Sequence, residues 1–430
     1  MIISAVIALF VLVVVVVLTS TVVKIPAPFG LALSAIAAGL VAGTGLPVLN
    51  MVEGTFGFFY IMLTFGCGLI LVKVMEEIGF NESIKLFLLT HLGKRPVMLF
   101  LSLMFLMMVP GMLTGIGSVA VISTGAVVAS VLIGMGVPKQ WTAVFIITGA
   151  ILGMIAPPVN LPLMYMGVLI ALPYEGFTWI LMLLTFPLAI IFALWIGFRF
   201  SDPVDGCSPV LQIPGETIKD IPVKNGLIVY MPIFFVIILL VCERVVPHWP
   251  DLALPLILMI GALVTVPVLG VKRFFNASAE ALRGQAFIIL MIILAAGLKG
   301  EFLSLSGVRG LLATFFFAVV PTWLFLPSLI SLPLLGAFGT VFGATFILGY
   351  PFVLALLPKS SIIAAAALSL IAAVADIMPP TALSGNLASH LVGEKKYRGI
   401  FVRSLIPAGC MIAVAIAAII LADPLSRLLT

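Results

Sequence analysis

The chain has 430 residues, of which 63% are hydrophobic and only 9% are charged, and its mean hydropathy is +1.36. No soluble core needs so much apolar surface, so the composition predicts a membrane protein with many spans. The net charge of +5 comes from Lys and Arg in predicted loops, which indicates orientation in a membrane rather than nucleic-acid binding. The four cysteines are scattered without a C-x-x-C motif, which indicates apolar packing rather than a metal or redox centre.

Apolar runs predict ten spans, and a surface helix follows the third of them. The first run is too long for a signal-peptide core and has no basic segment before it, so we expect a retained span. Residues 72–95 carry apolar side chains every three to four positions among charges, as in an amphipathic helix on the membrane surface. The predicted spans lie at about 1–23, 29–49, 56–75, 143–170, 177–198, 226–243, 251–270, 286–303, 361–388 and 401–421.

Two further stretches, 96–138 and 320–358, are too long for one span and too apolar for a loop. The first has a Gly- and Ser-rich middle, TGIGSVAVISTG, at Thr114–Gly125, and the second has GAFGTVFGAT at Gly336–Thr345. Because glycine adopts turn conformations that other residues avoid, both are predicted to be re-entrant helical hairpins.

Two of the predicted spans are interrupted by a Pro-Pro pair, in Thr148–Gly167 and in Leu370–Asn386. Proline lacks an N–H and clashes with the preceding turn, so each pair should leave backbone groups unpaired. Such a break persists in a membrane only where protein or a polar cavity surrounds it. A simple proline kink is the alternative, but two interrupted spans at matching places favour a transport site.

The matching features predict an internal repeat of two halves. PFGLALSAIAAGLVAG, from Pro28, parallels PDLALPLILMIGALVT, from Pro250, and the hairpins and Pro-Pro pairs follow at similar spacing. We therefore expect a first half at 1–198, a polar cytoplasmic linker at 199–225 and a second half at 226–430. Each half would hold five spans and one re-entrant hairpin. Because five crossings is an odd number, the two halves would have opposite orientations in the membrane.

The basic residues predict the orientation. With hairpins counted as non-crossing, sixteen Lys and Arg fall on one face, and only Arg244, Lys299, Arg309, Lys359 and Arg427 fall on the other. This skew places both termini outside. We expect the membrane to be a bacterial or archaeal cytoplasmic membrane. The first hairpin would open from the cytoplasm and the second from the exterior.

The candidate site residues lie at the hairpin tips and beside the Pro-Pro pairs. Helix N-termini there would present N–H groups to an anion, and unwound carbonyls would present oxygen to a cation. The alternative for each Ser or Thr is a bond to the carbonyl one turn back. The substrate-binding candidates are Thr114, Gly115, Ser118, Asn160, Thr340, Thr381, Ser384 and Asn386, with Gly339 beside them. The cation-binding candidates are Gly117, Ser118, Pro157, Asn160, Gly343, Thr345, Asp376 and Thr381.

Asp376 is the only carboxylate in the middle of a predicted span. An ionised side chain at that depth costs a few kcal/mol unless it is paired or hydrated, so it is a functional candidate. It could coordinate a cation, carry a proton, or cap the half-helix after Pro380, and Met154 occupies the corresponding place in the first half.

No Ser-His-Asp set, metal cluster or phosphate loop appears, so an enzyme is not expected, although a lipid-modifying enzyme remains an alternative. A channel is disfavoured because neither hairpin carries a filter motif.

The hairpin turn and the first broken span resemble the large membrane subunit of TRAP transporters. That family carries an S-G-S hairpin turn followed by a G-P-I-I-P-P-S-I-P stretch near Tyr-Gly. Here Gly115, Gly153, Pro157-Pro158, Pro162 and Tyr165 fall in step with it, and MPPTALSGN is similar to a later P-P-V-G-L-N stretch.

The resemblance implies an elevator-type fold of the ion-transporter superfamily, with Na⁺ at the hairpin tips and no organic cofactor. It also implies uptake of a small organic acid, with a periplasmic solute-binding protein and a small four-span membrane subunit as partners, and an oligomer remains open. Val159-Asn160 replaces the family's Ser, and Ala120 stands where an Asp is common. A proton-coupled or stand-alone anion carrier using Asp376 is therefore the alternative to the Na⁺-coupled carrier.

Overall fold

A computed structural model describes residues 2–201 except 26, 171 and 175, and residues 226–429 except 247, 251, 284–294, 296, 299, 303, 315–328, 346–348 and 357–359. At Gly339, Thr340 and Gly343 it describes the backbone alone. Most of the predicted linker at 199–225 and of the predicted span at 286–303 lies outside the described residues.

All the regular structure in the described residues is helical. The first half contains α1 Ile2–Leu18, α2 Ala27–Ala42, α3 Val48–Phe56, α4 Phe59–Glu77, α5 Phe80–Phe87, α6 Pro96–Thr114, α7 Gly117–Gly134, α8 Lys139–Ile155, α9 Leu161–Ile170 and α10 Thr178–Phe200. The second contains α11 Met231–Val245, α12 Leu254–Leu263, α13 Val266–Leu269, α14 Val271–Arg283, α15 Val308–Thr314, α16 Ser331–Ala344, α17 Tyr350–Ala355, α18 Ser361–Ala373, α19 Leu383–Leu391, α20 Tyr397–Ile420 and α21 Ala422–Leu429.

Within the described residues, six helices are long and apolar enough to cross a membrane. They are α1 with its continuation to Val23, then α4, α6, α7, α10 and α20, and shorter apolar helices accompany them. The prediction of a multi-pass helical membrane protein is confirmed. The count of ten spans and the inverted repeat stay predictions.

The predicted surface helix at 72–95 is wrong at its start. Helix α4 continues through Glu77, and α5 begins only at Phe80, after Gly79 with φ 89°. Near the end of α4, Lys73 pairs within the protein, because its Nζ lies 2.9 Å from Glu280 Oε1 on α14, while Glu77 stays exposed. The amphipathic helix α14 was itself not predicted.

The first hairpin is present, but its turn is much tighter than predicted. Only Gly115 and Ile116 separate α6 from α7, and Gly115 has φ 70°. Residues 117–125 are helical, because their small side chains allow α7 to pack closely against α6 and α8. Each arm is long enough to span, so the re-entrant arrangement stays a prediction.

The predicted turn of the second hairpin, Gly336–Thr345, is wrong. Residues 331–344 form the continuous helix α16, and Thr345 follows in a helical conformation. Small residues in a membrane helix serve packing as well as turns, and α16 packs against the short helical turn Val374–Ile377 and against α18.

The helices α6, α7 and α8 pack together at the centre, and α19 packs on α7 and α8. A Cβ on Gly111 of α6 would lie 2.9 Å from the Gly153 carbonyl carbon on α8, and a Cβ on Gly153 would overlap the backbone of Met108. The two backbones therefore approach as only glycine permits. This close packing positions the tip of the first hairpin at the break between α8 and α9.

Candidate functional site

The first Pro-Pro pair breaks the helix as the sequence predicts. Helix α8 ends at Ile155 and α9 begins at Leu161, with a cis bond between Pro157 and Pro158. The Val159 N–H donates to the Met112 carbonyl of α6 at 3.1 Å, which joins the break to the hairpin. The freed backbone groups are thus satisfied within the protein, as a break in a membrane requires.

Asn160 uses its polar groups inside the protein. Its Oδ1 accepts the Leu163 N–H at 3.0 Å, which caps α9. Its Nδ2 donates to the Ile155 carbonyl at 3.1 Å and to Ser369 Oγ on α18 at 2.9 Å. Because the side chain is fully buried and all these bonds are internal, Asn160 positions the break rather than offering a free donor to a solute.

The second Pro-Pro pair lies in a matching break. Helix α18 gives way to the short turn Val374–Ile377, the Pro379–Pro380 bond is cis, and α19 begins at Leu383. The Thr381 N–H and Oγ1 both donate to the Ala337 carbonyl of α16, at 3.2 and 2.9 Å. In both halves, then, the residue after the Pro-Pro pair is bonded to a carbonyl of the neighbouring predicted hairpin.

Asp376 lies in the second break, where that break meets the beginning of the second arm of the first hairpin and α8. It accepts a hydrogen bond from Ser384 Oγ, and the Ser384 backbone N–H also faces the carboxylate. A Cβ on Gly117 would lie 3.0 Å from both Asp376 Oδ2 and Ser384 Oγ, and 3.4 Å from the Ala150 carbonyl oxygen. Gly117, Asp376 and Ser384, which belong to three different segments, therefore form one centre.

Two helix N-termini converge on the Asp376 carboxylate. Gly117 is the first residue of α7 and Ser384 is the second residue of α19. Each helix N-terminus carries about half a positive charge, which favours an anion beside it. Asp376 is largely buried, and in the described part of the chain no ion pair joins it to a basic residue.

Ser118, the second residue of α7, carries an unused polar group. Its side chain is fully buried next to Gly117, and its Oγ has no hydrogen-bond partner. A buried hydroxyl without a partner costs stability unless a water, ion or solute satisfies it. Among the predicted site residues, Ser118 therefore has the hydroxyl most clearly available to bind a ligand.

The remaining candidates divide between the packing of the breaks and bonds within one helix. Gly115 contacts Val159 and Leu161, and Pro157 is buried in the first break. Asn386 Nδ2 donates to the Thr381 carbonyl at 3.0 Å. Bonds to a carbonyl one turn back occupy Thr114, with Pro110 at 2.7 Å, and Thr345, with Val341 at 3.1 Å. The side chain of Thr340 lies outside the described residues, as do the surroundings of Gly339 and Gly343.

Three residues that support the centre were not predicted. Tyr174 Oη accepts the Asn160 N–H at 2.9 Å and donates to the Pro158 carbonyl at 3.0 Å. Ser369 bonds Asn160, and Tyr397 Oη donates to the Ile377 carbonyl at 2.7 Å, beside Asp376. Each is distant in sequence from the break that it supports, so no local motif marks it.

The fold is similar to that of two solved membrane transporters. The YdaH transporter of Alcanivorax borkumensis superposes with a TM-score of 0.60 at 16% identity, over 88% of each chain. MtrF of Neisseria gonorrhoeae, described as one of a class of antimetabolite efflux pumps, superposes with a TM-score of 0.59 at 14% identity, over 87% of this chain and 83% of that one.

No family model and no curated protein sequence matches the chain. At these identities the likeness concerns the fold alone. The predicted resemblance to the TRAP large subunit receives no support from the comparisons.

Proposed function

We propose that the chain is a secondary active transporter that moves a small organic acid together with a cation, Na⁺ in the leading form. The observation that carries the proposal is the buried Asp376 carboxylate held between the beginnings of α7 and α19, at two interrupted helices. Interrupted helices meeting at a buried polar centre are the recurring site architecture of such carriers. The transporter fold supports this function over that of a lipid-modifying enzyme.

The charges at the centre favour coupling to a cation. Two helix N-termini contribute about one positive charge in total, which offsets the single charge of Asp376. A solute carboxylate entering beside Ser118 would leave the centre with an excess of negative charge in a low-dielectric surrounding. A bound Na⁺, or a proton on Asp376, would remove that excess.

Uptake by proteoliposomes tests this function directly. The purified protein would be reconstituted and offered a panel of radiolabelled small carboxylates under an inward Na⁺ gradient, an inward proton gradient, or neither. We expect uptake of at least one acid that requires the Na⁺ gradient, and a loss of about a hundredfold in Asp376→Asn, because the binding charge is removed. Asp423→Asn, which alters an exposed carboxylate on α21, is the matched control and should retain uptake.

The proton-coupled carrier is the second candidate, favoured by the absence of an ion pair to Asp376 within the described residues. It predicts uptake that follows the proton gradient, is indifferent to Na⁺ and is abolished by the same Asp376→Asn variant. Uptake unaffected by Asp376→Asn would contradict both forms.

The direction of transport and the moving parts belong to the same proposal. Elevator motion would carry the hairpin and the broken helices against the other helices. Export rather than uptake is the alternative suggested by the description of MtrF as an efflux pump. Loading the solute on either side of the vesicle membrane separates the two, and adding a solute-binding protein tests the dependence on such a partner.

A further inference from the structure

A small crevice with a few polar groups lies apart from the Asp376 centre. It has a volume of about 10 Å³ and lies between the end of α4, the start of α5 and the two arms of the first hairpin. Most of its lining is apolar, and the exceptions are Glu76, Asn81, Ser123 and Thr124. None of these residues belongs to the centre described above.

The crevice contains one buried oxygen atom that lacks a donor. Asn81 Nδ2 donates to the Ser123 carbonyl at 3.0 Å, which fixes the orientation of the amide. The other end of that amide, Asn81 Oδ1, is buried and has no hydrogen-bond partner. The Ser123 hydroxyl donates a hydrogen bond to the Glu76 carboxylate. Buried acceptors of this kind require a donor, a water or a cation.

The neighbouring positive charge, that of Lys73, forms its ion pairs with carboxylates other than Glu76. Lys73 Nζ lies 2.9 Å from Glu280 Oε1 and 3.8 Å from Glu77 Oε1. Within the described residues no ion pair involves Glu76, although its side chain is partly buried. The crevice therefore holds one negative charge that no basic side chain neutralises at contact distance.

We propose that this crevice binds a monovalent hard cation such as Na⁺, with Glu76, Asn81 Oδ1 and the Ser123 hydroxyl as its ligands. Carboxylate, amide and hydroxyl oxygens are the ligands that hard cations prefer. One carboxylate balances one positive charge, whereas divalent cations in proteins are usually held by more. The bound ion would join α4 and α5 to the hairpin, in addition to the Asn81–Ser123 bond. This site is independent of the function proposed for the Asp376 centre.

A Na⁺ titration of thermal stability tests the proposal. The full-length purified protein would be melted in increasing NaCl, with choline chloride holding the ionic strength constant, and the midpoint of the stabilisation would be read. We expect the midpoint to rise at least about tenfold in Glu76→Gln, because the only charged ligand is lost. Glu77→Gln, one residue along and about half-exposed beside Lys73, is the matched control and should stay within about twofold of the parent.

A variant expected to bind Na⁺ more tightly distinguishes a change in the site from damage to the fold. Asn81→Asp places a second carboxylate in the crevice, and we expect it to lower the Na⁺ midpoint about tenfold, a change that a damaged fold does not produce. The titration is repeated in Asp376→Asn, where the stabilisation through the crevice should persist. A midpoint identical in the parent, Glu76→Gln and Asn81→Asp would overturn the proposal and assign an ordered water to the crevice. Stabilisation lost in Asp376→Asn alone would also overturn it, while leaving the central cation site of the proposed transporter intact.

Discussion

Replacing Asn160 by alanine distinguishes a structural cap from a solute ligand. The substitution removes the acceptor for the Leu163 N–H and the donor to the Ile155 carbonyl. Loss of an N-cap costs about 1 kcal/mol, and a carbonyl left unsatisfied in a buried break costs about 2 kcal/mol. Ser369 retains its bond to the Ala366 carbonyl at 2.7 Å, so the loss of its bond from Asn160 adds little to the cost in stability. We therefore expect Asn160→Ala to lower the free energy of unfolding by about 3 kcal/mol.

The matched control is Asn386→Ala in the second break. The Asn386 side chain is only partly buried and its amide donates one bond, to the Thr381 carbonyl, so its loss should cost about 1 kcal/mol. Unfolding of both variants and the parent would be followed in the same detergent with increasing denaturant. If Asn160→Ala proves no less stable than Asn386→Ala, yet loses solute-induced stabilisation, the capping argument fails and Asn160 is a ligand.

Three further substitutions and one control test the packing, each by thermal unfolding. Gly153→Ala should cost about 3 kcal/mol, because its Cβ would overlap the backbone of α6, whereas Gly409→Ala, with no atom within 4 Å, should be neutral or stabilising by up to about 1 kcal/mol. Ala382→Gly should raise the melting temperature, because Ala382 has φ 35°, where a Cβ costs about 1 kcal/mol, and an unchanged or lower value would count against that strain. Glu280→Gln should cost less than about 1 kcal/mol, because Glu280 is 68% exposed in its pair with Lys73, and a larger loss would mean a tighter contact between α4 and α14.

The features that sequence predicts best are those that follow from one residue's covalent chemistry. Proline lacks an N–H in every environment, so both Pro-Pro pairs end their helices wherever they stand in a span. Helix α8 ends two residues before Pro157, and the turn that extends α18 ends two residues before Pro379. The tip of the first hairpin lies at the start of the predicted turn Thr114–Gly125, at Gly115, whose φ of 70° other residues adopt only rarely.

The features that sequence misses depend on what lies across the interface. Glycine in a membrane segment serves a turn or a close helix contact equally well, and in Gly336–Thr345 the second role prevails, since the segment is helical and the Ala337 carbonyl accepts two bonds from Thr381. Asn160 and Ser369 are separated by 209 positions, so no local pattern connects them. A buried asparagine is equally compatible with a ligand and a cap until its partners are known.

The centre is asymmetric although the breaks around it are alike. Three residues before the Pro-Pro pair, the first half has the buried thioether of Met154 and the second has the carboxylate of Asp376. The charge belongs to the second half. Its neighbour Gly117, the first residue of α7, belongs to the first half. Neither half can form the centre alone. Because the beginning of α7 supplies part of the positive potential that offsets Asp376, withdrawing the hairpin would leave the carboxylate undercompensated until a cation or a proton replaced it. In the transporter that we propose, this dependence couples the position of the first hairpin to the ion bound at Asp376.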